Sequence, residues 1–273
     1  MTAYRSTPML SQPLEDTALL RFPGLAADHG LIHAVTCKPW NLAPHRGPDR
    51  ERAVERRQRV CAALGLDFDR LTAAEQIHGP HVVRVEESDV GAGRFDRRDA
   101  VRFVDGLVCD ERGVPLLQLS ADCPLMVVYD RRRPALGCAH ASWRGTVAGI
   151  AEQLVAAMVR SFNSDPPALR AGIGPCAGPQ RYEVGPEVRR VALTALPDAE
   201  RFFSPAAGFD SARNPGRYLF DLRAANAAQL LRSGLRAEHI ETAAECTISD
   251  PRFFSHRRDG DLTGRFGLLV ALR

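Results

Sequence analysis

Three residues with side chains that bind transition metals or move protons stand at ends or turns of predicted strands. They are His78 in Gln76-Ile77-His78-Gly79, Cys123 in Ala121-Asp122-Cys123, and His140 in Cys138-Ala139-His140-Ala141. Functional side chains collect where rigid strands give way to loops. Imidazole and thiolate are good zinc ligands, and a set of three leaves a fourth position open, as a catalytic site requires. The separations of 45 and 17 residues match no local metal motif, so spacing alone leaves three readings open. One is a single ion held by all three. The second is metal-free, with Cys123 as nucleophile and His140 or His78 as its base. In the third, Cys123 is a small core residue and the histidines are satisfied donors.

Other segments suit anions or close backbone approach. Arg144-Gly145-Thr146 precedes a helix expected from about Thr146, and a guanidinium beside a helix N-terminus suits phosphate or carboxylate. The alternative is a surface arginine stacked on Trp143. Residues 172–178 hold three glycines, which could let backbone approach a ligand closely. Phe253-Phe254-Ser255-His256-Arg257-Arg258-Asp259-Gly260 combines an aromatic pair with two arginines; its alternative is an exposed hairpin.

The elements that must position these residues alternate along the chain. Residues 48–64 predict a helix with Ala53, Val54, Val60, Cys61 and Leu64 near one face, charges on the other, and Gly65 to end it. His81 to Val85 alternates as a strand does, and a polar loop follows over 86–100. Residues 115–119 and 125–129 are apolar runs broken at Pro124, which cannot donate to a sheet ladder. Residues 135–139 form a third run. A helix is expected over 146–160, with Val147, Ile150, Leu154, Val155, Met158 and Val159 on one stripe facing a sheet. Asp221 is placed to N-cap a helix ending near Gly234, and residues 267–272 close the chain as a strand. No linker divides this alternation, which predicts one α/β domain.

Composition excludes little but narrows the setting. The 273 residues are 45% hydrophobic and 25% charged, ordinary for a chain with a sizeable core. A net charge of +3 gives no argument for nucleic acid or membrane as a partner, and Arg131-Arg132-Arg133 reads as a solvated turn. Residues 1–22 contain no signal-peptide apolar run, and nothing approaches the roughly 20 apolar residues that span a bilayer. The seven cysteines include no Cys-x-x-Cys pair, so reduced thiols in the cytoplasm are expected.

Four blocks in order resemble a known family. They are Glu75-Gln76-Ile77-His78-Gly79; Ala121-Asp122-Cys123; Ala139-His140-Ala141-Ser142-Trp143-Arg144-Gly145; and Cys246-Thr247 through Phe253 to Gly260. Ile173-Gly174-Pro175, Tyr182-Glu183-Val184, and Asp221-Leu222 with Asn226 add weaker matches. The chain is similar to the YfiH-like laccase-domain family, described both as polyphenol oxidases and as purine nucleoside phosphorylases, and including peptidoglycan editing factors. The resemblance runs from about His29 to the end. It implies an N-terminal extension (1–28) and a single-domain α/β sandwich (29–273) of two packed mixed sheets flanked by helices.

Residue by residue, the resemblance implies a metal, zinc with copper as an alternative, on His78, Cys123 and His140. It implies catalytic roles for Cys123, His140, Asp122 and Arg144, with Asp122 as acid/base or as the partner that orients a ligand histidine. Arg144, Lys38, Arg257 and Arg258 become substrate-binding candidates. The implied activity is phosphorolysis of adenosine, inosine and methylthioadenosine, together with adenosine deamination. The partners are then a small purine nucleoside and phosphate, with no nucleic acid or membrane and the oligomeric state open. Alternatives are a cysteine-nucleophile amidase editing a peptidoglycan precursor, a copper-dependent polyphenol oxidase, and a non-enzymatic nucleotide-binding module. Only eight histidines, three of them in the blocks, speak against the oxidase. Three departures bear on substrate. The family's Arg-x-Gly-Gly segment is replaced here by His33-Ala34-Val35-Thr36-Cys37-Lys38, where Lys38 substitutes only in part. Gln180-Arg181 precedes Tyr182 where many members carry cysteine, and Ser142 stands where glycine is usual.

Overall fold

The apolar runs at the centre of the chain become the strands Leu116–Ser120, Leu125–Asp130 and Ala135–His140. The break at Pro124 separates two sheets: the first strand lies in a six-stranded sheet, the other two in a seven-stranded one. A computed structural model describes residues 5–206 and 216–273.

The six-stranded sheet runs, in spatial order, Leu10–Leu14, Thr17–Arg21, Leu31–Thr36, Phe266–Leu272, Leu116–Ser120 and Thr72–Ala73. Its pairings are antiparallel except the last. The seven-stranded sheet runs Arg5–Thr7, Ile240–Ala243, Arg170–Ile173, Leu125–Asp130, Ala135–His140, Gly106–Cys109 and Val82–Arg84, with parallel and antiparallel pairs. Every residue of Phe266–Leu272 and of Ala135–His140 is buried, as expected for central strands covered on both faces. Leu107, Leu125, Val127 and Leu136 of one sheet meet Leu116, Phe266, Leu268 and Val270 of the other in a shared core. The helix Ile150–Phe162 covers the outer face of the seven-stranded sheet, and Ala53–Leu64 packs through Val60 and Cys61 on Leu117 and Leu269 of the other. The architecture is the expected sandwich of two mixed sheets flanked by helices. No helix among the described residues is long and apolar enough to cross a membrane.

Local differences have identifiable causes. The helix expected over 146–160 is two helices, Trp143–Val147 and Ile150–Phe162, separated where Gly149 takes φ 84°. Residues 48–64 begin as a 3-10 turn, and Arg56 and Arg57 of the expected charged face are buried. Arg57 donates to the carbonyls of Leu42, Gly93 and Arg94, tying the helix to two loops. Gly172 lies within a strand, where a Cβ would stand 2.5 Å from the Phe22 ring, so close packing, not a ligand, demands glycine there. Phe253 and Phe254 are buried rather than exposed in a hairpin, and Phe253 packs edge-on against Phe266. Within the segment 1–28, residues 5–21 supply strands to both sheets, and Leu20, Phe22 and Leu25 are core; residues 1–4 lie outside the described residues.

Candidate metal centre

Strand pairing explains why Cys123 and His140 meet. His140 ends its strand opposite Leu125, and Cys123 sits two residues before Leu125 in the turn that crosses between sheets. His78 lies in the turn ahead of Val82–Arg84, with φ 66°. Its ring is perpendicular to that of His140, centroids 5.0 Å apart. Cys123 is within hydrogen-bonding reach of His140, and all three line one cavity.

A residue that sequence reasoning missed holds this arrangement. Asp105, fully buried, immediately precedes the strand Gly106–Cys109. Its Oδ1 meets Nδ1 of His140 at 2.8 Å and accepts the His78 backbone N–H at 3.0 Å. Its Oδ2 accepts the N–H groups of Ile77 at 3.0 Å and Gly79 at 2.8 Å. Burial would raise the Asp105 carboxyl, but the hydrogen bond and charge of His140 and the backbone N–H groups hold it below the usual range. One carboxylate therefore orients the His140 ring and closes the turn bearing His78, the role that sequence reasoning gave to Asp122.

Asp122 is used elsewhere. Its Oδ1 accepts the Thr247 hydroxyl at 2.6 Å and its Oδ2 accepts the Arg257 N–H at 2.7 Å. Its φ of 103° and the φ of His78 are both rare for side-chain-bearing residues. Such backbone persists only where the surroundings over-determine it, as these carboxylate bonds do.

The electrostatics separate the two histidines. Burial, then the neighbouring charge of His140, pushes His78 down to about 4, leaving a neutral imidazole with a lone pair to donate. Burial also works against charge on His140, but Cys123 and Asp105 outweigh it and push His140 up to about 9. The negative potential that holds a proton there equally favours a cation, whose binding displaces such protons. Two imidazoles and a thiol in one cavity are a donor set suited to zinc. As they lie, no three His, Cys, Asp or Glu side chains among the described residues stand close enough together to chelate an ion.

The basic residues singled out by sequence do not line this cavity. Arg144 is exposed, with its guanidinium 4.4 Å over the Trp143 ring. Ser142 caps that short helix by accepting the Gly145 N–H at 3.0 Å and donates to the His78 carbonyl at 3.2 Å, which gives the serine a structural use. Lys38 pairs with Asp259 at 3.3 Å. Arg257 donates to the Glu183 carbonyl at 2.6 Å and lies over Tyr182. Arg258 ties together the carbonyls of Thr247, Ile248, Asp250 and Phe253. The cavity, about 670 Å³, is instead lined by His45, Arg46, Arg57, Arg97 and Arg265, with Asp261, beside the three donors. That volume is ordinary for a small-molecule site. Arg265 directly precedes the closing strand, a sequence signal passed over because no motif flagged it.

Known proteins share this frame. Residues 28–273 match the family model described as multi-copper polyphenol oxidoreductase laccase. The chain is 36% identical over 251 residues to the purine nucleoside phosphorylase YlmD of Geobacillus stearothermophilus, covering 92% of this chain and 89% of that protein. It is 38% identical over 196 residues to a purine nucleoside phosphorylase of Xylella fastidiosa, covering 71% and 69%. The crystal structure of YlmD from Geobacillus stearothermophilus superposes with a TM-score of 0.87 at 32% identity, over 97% of this chain and 100% of that one. The YfiH structure from Bacillus licheniformis gives 0.84 at 28% identity, over 94% and 96%. Matched along nearly its whole length in sequence and in fold, the chain belongs to the multi-copper polyphenol oxidoreductase laccase family that includes YlmD and YfiH.

Proposed function

We propose that the chain is a metal-dependent purine nucleoside phosphorylase acting on adenosine, inosine and methylthioadenosine, with adenosine deamination as a second activity. His78, Cys123 and His140 would hold the ion, zinc in the first instance and copper as the alternative. The observation that carries this reading is the pairing, in one cavity, of a metal-binding donor set with a group of arginines. Relatives named purine nucleoside phosphorylase support it. The bound ion supplies Lewis-acid polarisation of substrate or water.

The remaining work falls to the chain's own groups. Asp105 takes Nδ1 of His140 and so turns the ring's other edge toward Cys123. His78 stays neutral and available as a donor. The cationic lining offsets the charge of phosphate, whose oxygen bonds to the sugar's anomeric carbon as the bond to the purine nitrogen breaks. The departing purine takes the electron pair and a proton. The seven free cysteines accord with a reducing cytoplasm as the setting.

A second reading rests on the line Cys123–His140–Asp105, which has the order of nucleophile, base and orienting carboxylate. It favours an amidase editing a peptidoglycan precursor. Metal-quantified protein incubated with adenosine, with and without phosphate, decides between them. Phosphate-dependent adenine and ribose 1-phosphate support the phosphorylase, and inosine reports deamination. No phosphate dependence, together with chelator-insensitive and Cys123-dependent amide hydrolysis, would replace the first reading with the second.

A further inference from the structure

Basic side chains outnumber carboxylates in the cavity, where Asp261 lines the wall beside them and its charge acts on Arg265 without an ion pair between the two among the described residues. The charges of Arg97, Arg57, Arg46 and Arg265 all act on His45, and after burial they push its imidazole down to about 4. Among the described residues, Arg97 alone of these four arginines has a carboxylate within ion-pair distance, Glu75 at 3.8 Å. Arg57 is spent on three backbone carbonyls. Arg265 uses Nη1 on the carbonyls of Thr263 and Gly264, at 3.0 and 2.8 Å. Arg46 is exposed and makes no side-chain hydrogen bond or ion pair among the described residues. Uncompensated guanidiniums side by side repel one another, and a planar fork of donors is the complement of a tetrahedral oxyanion.

Buried packing forces the two available arginines together. Asn41, fully buried, donates Nδ2 to the Arg46 carbonyl at 2.7 Å and the Pro48 carbonyl at 2.9 Å. Its Oδ1 accepts the Arg265 N–H at 2.9 Å and the Ala43 N–H at 3.0 Å. The Leu42 N–H adds a bond to the Arg265 carbonyl at 2.9 Å. Gly47, at φ 84°, brings its backbone so near Gly264 that a Cβ would lie 2.4 Å from the Gly264 Cα. The backbone around both arginines is thus set before any ligand arrives, which lowers the entropy cost of binding.

We infer that Arg46 and Arg265, positioned by Asn41, form the seat for inorganic phosphate, in place of Arg144. The inference deepens the phosphorylase reading and rests on it for the choice of phosphate as the anion. The same chemistry would accept the phosphate group of a nucleotide, so both ligands belong in the test.

Calorimetry on metal-quantified, full-length protein at constant ionic strength measures the affinity for inorganic phosphate. Arg46→Gln and Arg265→Gln should each weaken it at least about tenfold, the scale of a lost charge-assisted hydrogen bond, with metal content unchanged. The phosphate KM should rise in parallel while the adenosine KM stays within about twofold of wild type. Arg46→Lys should recover part of the affinity, since charge remains but the fork is lost. Arg46 has no structural contacts to lose, so Arg46→Gln decides the matter if Arg265→Gln misfolds. Unaltered phosphate affinity in Arg46→Gln, or loss confined to Arg144→Gln, overturns the seat. Adenosine 5′-monophosphate displacing phosphate and binding more tightly would assign the seat to a nucleotide instead. Arginine-dependent phosphate binding without nucleoside cleavage would leave the seat and remove the phosphorylase. Phosphate-dependent cleavage indifferent to Arg46→Gln would do the reverse.

Discussion

Replacing Asp105 with Asn separates the parts of the site more sharply than changing any proposed ligand. The carboxylate receives hydrogen bonds from Ile77, His78 and Gly79 and meets Nδ1 of His140, two groups on each oxygen. An amide has one acceptor oxygen, so either two of these four bonds are lost, or the His78 bond is lost and the His140 bond reversed. With the amide nitrogen toward Ile77 and Gly79, two buried N–H groups face a donor. With it toward His140, Nδ1 must become the acceptor, and the ring proton moves to the edge that faces Cys123, where it blocks a metal. In the first orientation, two charge-assisted bonds at about 1.5–3 kcal/mol each predict a loss of about 3–6 kcal/mol. That is a large part of a typical stability of about 5–15 kcal/mol. Urea unfolding of the metal-free protein measures this loss, and competition against a calibrated chelator measures zinc affinity, expected to fall about 10- to 100-fold. A variant with wild-type unfolding midpoint and zinc affinity would refute the assignment of Asp105 as the brace of both histidines.

On the proposed metal reading, wild-type protein should carry close to one zinc per chain and Cys123→Ala should lose most of it; full occupancy measured by elemental analysis would remove Cys123 from the proposed ligand set. All seven cysteines are free and should titrate after denaturation of anaerobically prepared protein without reductant; finding five or fewer would contradict a reducing setting. His33, buried and accepting the Phe22 N–H at 3.0 Å, is pushed down to about 4 by burial and then by the charge of Arg21. Its unfolded form titrates near 6.5, so the unfolded chain binds the extra proton between these values. Stability from this group is therefore full above about pH 6.5 and is lost as pH falls toward about 4. The total is about 3 kcal/mol, of which about 2 is gone by pH 5. His33→Gln should flatten that part of the stability–pH curve, and an unchanged slope would show that His33 is not its source.

What could be read from sequence divides along physical lines. His78, Cys123 and His140 were legible as candidates because each stands at an end or turn of a predicted strand and within a block shared with the family. Asp105 carries no local signal: its hydrogen-bond partners lie 26 to 35 residues away, and a lone carboxylate ahead of a strand reads as an ordinary turn residue. The break between two strands followed from Pro124 and the two packed sheets from the family resemblance, whereas the split at Gly149 depended on a single residue's left-handed backbone. Arg57 was placed on a charged helix face by periodicity, yet it is 2% exposed because three carbonyls take its guanidinium.

The arginines make the same division sharpest. Arg144, Arg257 and Arg258 attract attention because they adjoin the histidine and cysteine blocks in sequence. In the fold, Arg144 lies over Trp143 with its charge acting on His78, Arg257 goes to Glu183 and Tyr182, and Arg258 to the carbonyls around its own turn. Two of the arginines that do share the cavity with the donor set, Arg46 and Arg265, come from opposite ends of the sequence and are joined through the buried Asn41. Charge then organises the cavity in two parts. Asp105 and Cys123 make the surroundings of His140 favourable to a cation, while Arg46, Arg97 and Arg265 make those of His45 unfavourable to one. A ligand with an anionic group and a polarisable remainder has one preferred orientation in such a field, the anion among the arginines and the remainder toward the donors. The phosphate and nucleoside proposed above would divide between those two parts in that way.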